Sequence, residues 1–251
     1  MAKGEIERLL QLCPIKPAER RGTLLELFRA AGCPEGMITA QAVTGSVDPN
    51  LIVTLPGSGD ESIYVGAHFD ASRFSWGIID NWSGAVMLSA LYRSLAVHPR
   101  RHTFVFIAFA AEEQGLKGSK AFARGMSPDA VHKARAMINL DCLAMSTTAV
   151  WVKRSNRSLW EAISRVASGM GLPLRGINMK GVSGSDADPF ARLKIPTLVV
   201  HSSTQEAISI LHNFRDDFPA VRGADYYDSY KLMAMLLAYL DIKLETVKRP
   251  G

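Results

Sequence analysis

The chain has little cysteine: Cys13, Cys33 and Cys142 are the three in its 251 residues, widely spaced and without a Cys-x-x-Cys pair. That excludes both a disulfide framework and a thiolate zinc site, and it favours a reducing compartment. Long apolar runs are missing as well. The N-terminal stretch 1–20 carries Glu5, Glu7 and Arg8 in its first turns, so it reads as neither a signal peptide nor a membrane span. The expectation is a soluble cytoplasmic protein with no membrane partner. Blocks of one charge are also scarce. The net charge of +5 is spread along the chain apart from short clusters at Arg100-Arg101-His102 and Lys248-Arg249, which is the pattern of a solvated surface and not of a nucleic-acid footprint.

What is present is ample apolar material, 47% of the residues, enough for one large core, and no linker or repeat divides it. The expectation is one domain over 1–251 with a helical N-terminal segment over about 1–35. Amphipathic spacing predicts helices over 6–12 and 17–31, the second opening on a proline where a missing amide proton costs nothing and closing at Gly32. β-Branched runs predict strands over 51–55 and 62–67, joined as a hairpin through the turn formers of 56–60. Helical spacing then alternates with apolar runs. Helices are expected over 83–96, 116–124, 159–169 and 224–240, and strands over 103–110, 136–140, 149–153, 174–178 and 196–200. Such alternation predicts an α/β fold, a three-layer α/β/α sandwich around a mixed, mostly parallel sheet.

Polar residues gather just past the predicted strand ends, where open α/β sheets place their ligand crevices. His68 and Asp70 follow one strand, Glu112 and Glu113 another and Asp141 a third, while Asp80 leads into a helix and His212 lies beyond the strand ending near His201. Each has an ordinary reading on its own. Asp80-Asn81 fits a helix cap, and Glu112-Glu113 suits a helix N-terminus. Together they form an imidazole and carboxylate set that suits zinc, with cobalt or manganese next, and that is too large for a single four-coordinate ion. Two metals would lower the pKa of a shared water, and a neighbouring base would take its proton. Glu112 and Glu113 can divide those tasks, because successive residues of an extended chain point to opposite sides.

These residues stand in ordered motifs: Gly66-Ala67-His68-Phe69-Asp70, Asp80-Asn81-Trp82-Ser83-Gly84, Glu112-Glu113-Gln114-Gly115-Leu116-Lys117-Gly118-Ser119 and Asn139-Leu140-Asp141. Later come Ser185-Asp186 with Pro189-Phe190, Ile195-Pro196, and His212 with Asp216. The set resembles the zinc exopeptidase family that includes bacterial leucyl aminopeptidase, the peptidase domain of glutamate carboxypeptidase and, more distantly, glutaminyl cyclase. The resemblance implies two zinc ions. His68 and Asp141 would bind the first, Glu113 and His212 the second, and Asp80 would bridge them. It also makes Glu112 the general base acting on the bridging water and Asp70 the acceptor that holds the His68 ring. A cis Asp80–Asn81 peptide is implied too. His201 rivals His212 as a ligand, but only His212 is followed by the family's acidic residue, Asp216, so His201 is assigned to the substrate pocket.

Departures from the family pattern are Ala187 and Cys142, neither of which removes a ligand, and the aromatic segment 69–79. Arg73, Phe74 and Trp76 of that segment are expected to rim the substrate pocket. The implied activity is release of N-terminal residues from peptide or aminoacyl substrates. A carboxypeptidase or other amidohydrolase, and a single-zinc glutaminyl cyclase-like acyltransferase, are the alternatives.

Overall fold

The computed structural model describes residues 1–179, 181, 184–205 and 207–243. Helices α1 (Lys3–Gln11) and α2 (Arg20–Ala30) precede strands β1 (Ile38–Gln41), β2 (Asn50–Leu55) and β3 (Ser62–His68). Then follow α3 (Ser83–Ala96), β4 (Thr103–Phe109), α4 (Lys117–Gly125), α5 (Pro128–Lys133), β5 (Ala134–Leu140) and β6 (Ala149–Trp151). The chain continues through α6 (Arg157–Met170), β7 (Arg175–Ile177), α7 (Asp188–Arg192), β8 (Thr197–His201) and α8 (Gly223–Lys243). The strands make one eight-stranded mixed sheet in the order β1-β2-β4-β3-β5-β8-β6-β7. Its centre, β4-β3-β5-β8, is parallel, and β1–β2, β2–β4 and β6–β8 are antiparallel.

Side-chain alternation divides the central strands between two helical layers. Ile63, Val65 and Ala67 of β3, with Phe104, Phe106 and Ala108 of β4, join the large core shared with α1, α2, α3, α6 and α8. Tyr64, Ile107, Phe109 and Met137 face the other way, onto Phe122 of α4 and Phe190 of α7. Gly66 lies on that second face, where a Cβ would come within 2.4 Å of the Phe109 ring, so no larger residue fits between the strands there.

The hairpin expected between β2 and β3 does not form, because β4 lies between them. The connecting loop crosses the start of β4: the Ser58 and Gly59 amides donate to the Arg100 and Arg101 carbonyls at 3.1 and 2.7 Å. Those bonds carry the chain over one strand position before β3 begins. A short strand β1 and helices α5 and α7 also appear where no element was expected. Their brevity leaves too few residues for a periodic pattern to register.

Candidate metal centre

The parallel centre of the sheet brings four strand ends to one edge. His68 ends β3, Glu112 and Glu113 follow β4, Asp141 follows β5 and His201 ends β8. Asp80 enters from the turn before α3, and His212 enters from the loop between β8 and α8. His68 Nε2 lies 3.2 Å from Asp80 Oδ1 and 3.7 Å from Asp141 Oδ1. His212 Nε2 lies 3.0 Å from Asp80 Oδ2 and 3.4 Å from Glu113 Oε1. Two donor groups therefore form, His68–Asp80–Asp141 and Asp80–Glu113–His212, each with its donor atoms within 4.8 Å of one another, and Asp80 gives one oxygen to each.

Buried polar groups hold these donors in place. Asp70 accepts the backbone amides of Glu112 and Glu113, one on each oxygen, at 3.0 and 3.1 Å. Its Oδ1 also faces His68 Nδ1, at a longer 3.5 Å. Asp216, fully buried, does the same for the neighbouring segment: it accepts the Ile79 and Asp80 amides at 2.7 and 3.1 Å and the Ser75 hydroxyl at 3.2 Å. Asn81 ties that segment to the Asp141 loop, donating to Leu140 O and accepting from the Cys142 amide. The Asp80–Asn81 peptide is cis.

The electrostatics are those of crowded anions. Burial, together with the charges of Asp186, Asp141 and Asp80, pushes Glu112 up to about 9 despite relief from His68. Burial and Asp80 push Glu113 up to about 7. Burial opposes charge on Asp80 too, yet hydrogen bonds from His212 and His68 hold its carboxyl well below the usual range. His212 rises to about 9, chiefly through its bond to Asp80. Asp186 is wholly buried, and burial with the Asp141 and Asp70 charges lifts it to about 7 against relief from His68 and the Ser119 hydroxyl.

Cations would relieve this repulsion. A four-coordinate zinc with donors at about 2.0–2.2 Å sets those donors roughly 3.3–3.6 Å apart, which is close to the histidine–carboxylate distances of 3.0–3.7 Å in the two groups. The donor set therefore fits zinc in chemistry and in size.

A cleft of about 610 Å³ opens over these residues. Its apolar wall includes Leu116, Trp151, Met179 and Val199, and His201 joins them. Val199 and His201, two apart on β8, share a face, and Trp151 extends the paired strand β6 beside them. His201 is buried, and burial lowers its pKa to about 4, so the ring is neutral at pH 7.

Arg73, Phe74 and Trp76 do not line this cleft, contrary to the expectation drawn from their position between His68 and Asp80. Phe74 is 73% exposed with Arg73 stacked on it, and Trp76 borders a separate groove with Cys13, Ile15 and Phe218. The reason is that the Arg20 side chain pulls the backbone of this segment inward by its carbonyls, which turns the large side chains out. The apolar wall went unread in the sequence. The legible signal was Val199, two residues before His201 and hence on the same side of a strand.

A mixed α/β sandwich with histidine and carboxylate donors at the parallel strand ends is the architecture of metal-dependent hydrolases on open sheets. The chain belongs to peptidase family M28, whose model matches residues 50–237. It is 31% identical over 157 residues to leupeptin-inactivating enzyme 1 of Streptomyces exfoliatus, covering 61% of this chain and 35% of that one. It is 29% identical over 169 residues to aminopeptidase YwaD of Bacillus subtilis, covering 62% and 36%. The chain thus spans about a third of the length of these curated relatives.

Among solved structures, BSAP, a zinc aminopeptidase from Bacillus subtilis, superposes with a TM-score of 0.69 at 25% identity, covering 76% of this chain and 49% of that one. A glutaminyl cyclase from an Acidobacteriales bacterium shares the fold with a TM-score of 0.80 at 17% identity, covering 96% and 94%.

Proposed function

We propose that this protein is a two-zinc aminopeptidase releasing N-terminal residues from peptides. The observation that carries the reading is Asp80, whose two oxygens each face a separate histidine and carboxylate group. His68, Asp80 and Asp141 would hold one ion, and Asp80, Glu113 and His212 the other. When bound, the ions supply Lewis acidity, polarising the scissile carbonyl and acidifying water.

Glu112 is a carboxylate lining the cleft beside the donors, with its backbone amide held by Asp70. Its carboxylate takes the proton as the water oxygen bonds to the carbonyl carbon. It returns that proton to the amine nitrogen as the C–N bond breaks. The wall of Leu116, Trp151, Met179 and Val199 offers apolar surface to the substrate's first side chain. The family match and the name of the 29% identical relative, aminopeptidase YwaD, support the peptidase class.

The test is a metal count together with a rate screen over aminoacyl anilides, free dipeptides, N-blocked peptides and N-terminal glutamine peptides. Two zinc ions and cleavage that requires a free N-terminus support the proposal. One zinc with cyclisation of N-terminal glutamine would replace it with the cyclase reading, and cleavage only at C-termini would make the protein a carboxypeptidase.

A further inference from the structure

Arg20 lies in the N-terminal segment, outside the stretch that the family model matches. It is fully buried, and among the described residues no carboxylate pairs with it. Its two Nη groups are turned to backbone carbonyls instead, with Nη2 also 3.5 Å from Cys13 Sγ, while Nε has no hydrogen-bond partner among the described residues. Nη1 donates to Phe69 O at 3.1 Å and to Asp70 O at 3.5 Å, while Nη2 donates to Trp76 O and, at 3.1 Å, to Gly77 O. The guanidinium carbon also sits 5.7 Å from the centre of the Trp82 ring.

These carbonyls belong to both ends of one loop. Phe69 and Asp70 directly follow the donor His68, and Trp76 and Gly77 lie just before the donor Asp80. Gly77 has a φ of +58°, and a Cβ there would meet Ala71, the Asp80 carbonyl and the guanidinium itself, so the loop is shaped around the arginine. Asp216 takes the amides of Ile79 and Asp80. A buried cation on the carbonyls and a buried anion on the amides therefore grip the same segment.

We propose that Arg20 is a positioning residue for the metal centre, a staple through which the N-terminal segment sets the separation of His68 and Asp80. The two Nη groups of the planar fork suit the task, since each can engage the carbonyls of one loop end, and a single ammonium group cannot serve both. Losing it leaves buried carbonyls unpaired at both loop ends and frees the hinge points of Asp70 and Asp80. Both donor groups share Asp80, so both should weaken. This inference rests on the zinc reading of the site, but not on the peptide specificity.

The experiment measures zinc affinity by chelator competition on the full chain, at a temperature where circular dichroism shows the metal-free protein folded. It compares the wild type, Arg20→Met, Arg20→Lys and Phe28→Leu. Phe28 is buried in α2 against Tyr92 and Phe106, so its substitution loosens the same helix without touching the loop carbonyls. Arg20→Met should weaken zinc binding by about 10- to 100-fold, the usual effect of removing a group that orients metal ligands, and Arg20→Lys by a smaller factor. Phe28→Leu should lower Tm and leave zinc affinity at the wild-type level.

Wild-type affinity in a folded Arg20→Met overturns the assignment, as does an equal zinc loss in Phe28→Leu, which would reduce Arg20 to general anchoring. Should Arg20→Met fail to fold, Arg20→Lys is judged by the same comparison with Phe28→Leu. A wild-type chain that binds no zinc overturns the metal-centre reading itself, an outcome separate from the failure of Arg20 alone.

Discussion

Replacing Asp70 by asparagine tests how the catalytic edge is built. The carboxylate gives one oxygen to the Glu112 amide and the other to the Glu113 amide, at 3.0 and 3.1 Å. An asparagine of the same shape has one acceptor oxygen, so one amide must face an NH₂ group and lose its partner. A hydrogen bond to a charged acceptor contributes about 1.5–3 kcal/mol, and these amides are partly buried, so the lower half of that range applies. For a chain of this size that corresponds to a Tm lower by roughly 3–8 °C.

If the loosening is felt at Glu112, the same energy appears in the chemical step as a kcat about ten- to fortyfold lower, at about 1.4 kcal/mol per tenfold. The assay is kcat and KM on a leucyl anilide with zinc restored to saturation, beside thermal melts of the metal-free protein. A variant whose only defect is weaker zinc binding, with Tm and zinc-saturated kcat unchanged, would refute the clamp and return Asp70 to holding the His68 ring alone.

Glu112→Gln should retain both zinc ions and lose at least about a hundredfold in kcat, because it removes the base and leaves every other donor in place; undiminished turnover rejects the assignment. His212→Ala should lose one zinc per chain and His201→Ala none, as counted by atomic absorption, and the reverse result exchanges their roles. Zinc binding should release at least about two protons per chain at pH 7, read by calorimetry in buffers of different ionisation heat. The sign follows from Glu112 and His212, which hold protons up to about 9 without metal, from His68, which, against burial, the surrounding carboxylates raise well above the usual histidine range, and from Glu113, which holds a proton to about 7, so zinc affinity rises between pH 6 and 9. Heats independent of the buffer would contradict this. Trp151→Ala should cut cleavage of leucyl and phenylalanyl substrates by about ten- to a hundredfold more than alanyl ones, since burying a large side chain contributes about 1.5–3 kcal/mol. Phe74→Ala, on an exposed ring, should leave that ratio unchanged; a shift there would reinstate the aromatic loop as a specificity element.

The identity of the central strands and the residues at their ends were legible in the chain itself. Apolar runs such as 104–110 have no polar position to give to solvent, so they must be covered on both faces. In a parallel sheet all such strands end on the same side, which is why the sequence alone groups His68, Glu112, Glu113 and Asp141. The tertiary structure decided what depends on how distant segments cross. It inserted β4 between β2 and β3 and undid the expected hairpin, because the 56–61 loop binds the carbonyls ahead of β4. It set Asp216 under the amides of Ile79 and Asp80, and it turned Phe74 and Trp76 outward by hanging their loop on Arg20. It also raised the substrate wall from Trp151 and Val199 on neighbouring strands. Local periodicity records which face of an element is buried. Which far segment covers that face, and whether a backbone group meets a cation or an anion there, is settled only when the chain closes on itself.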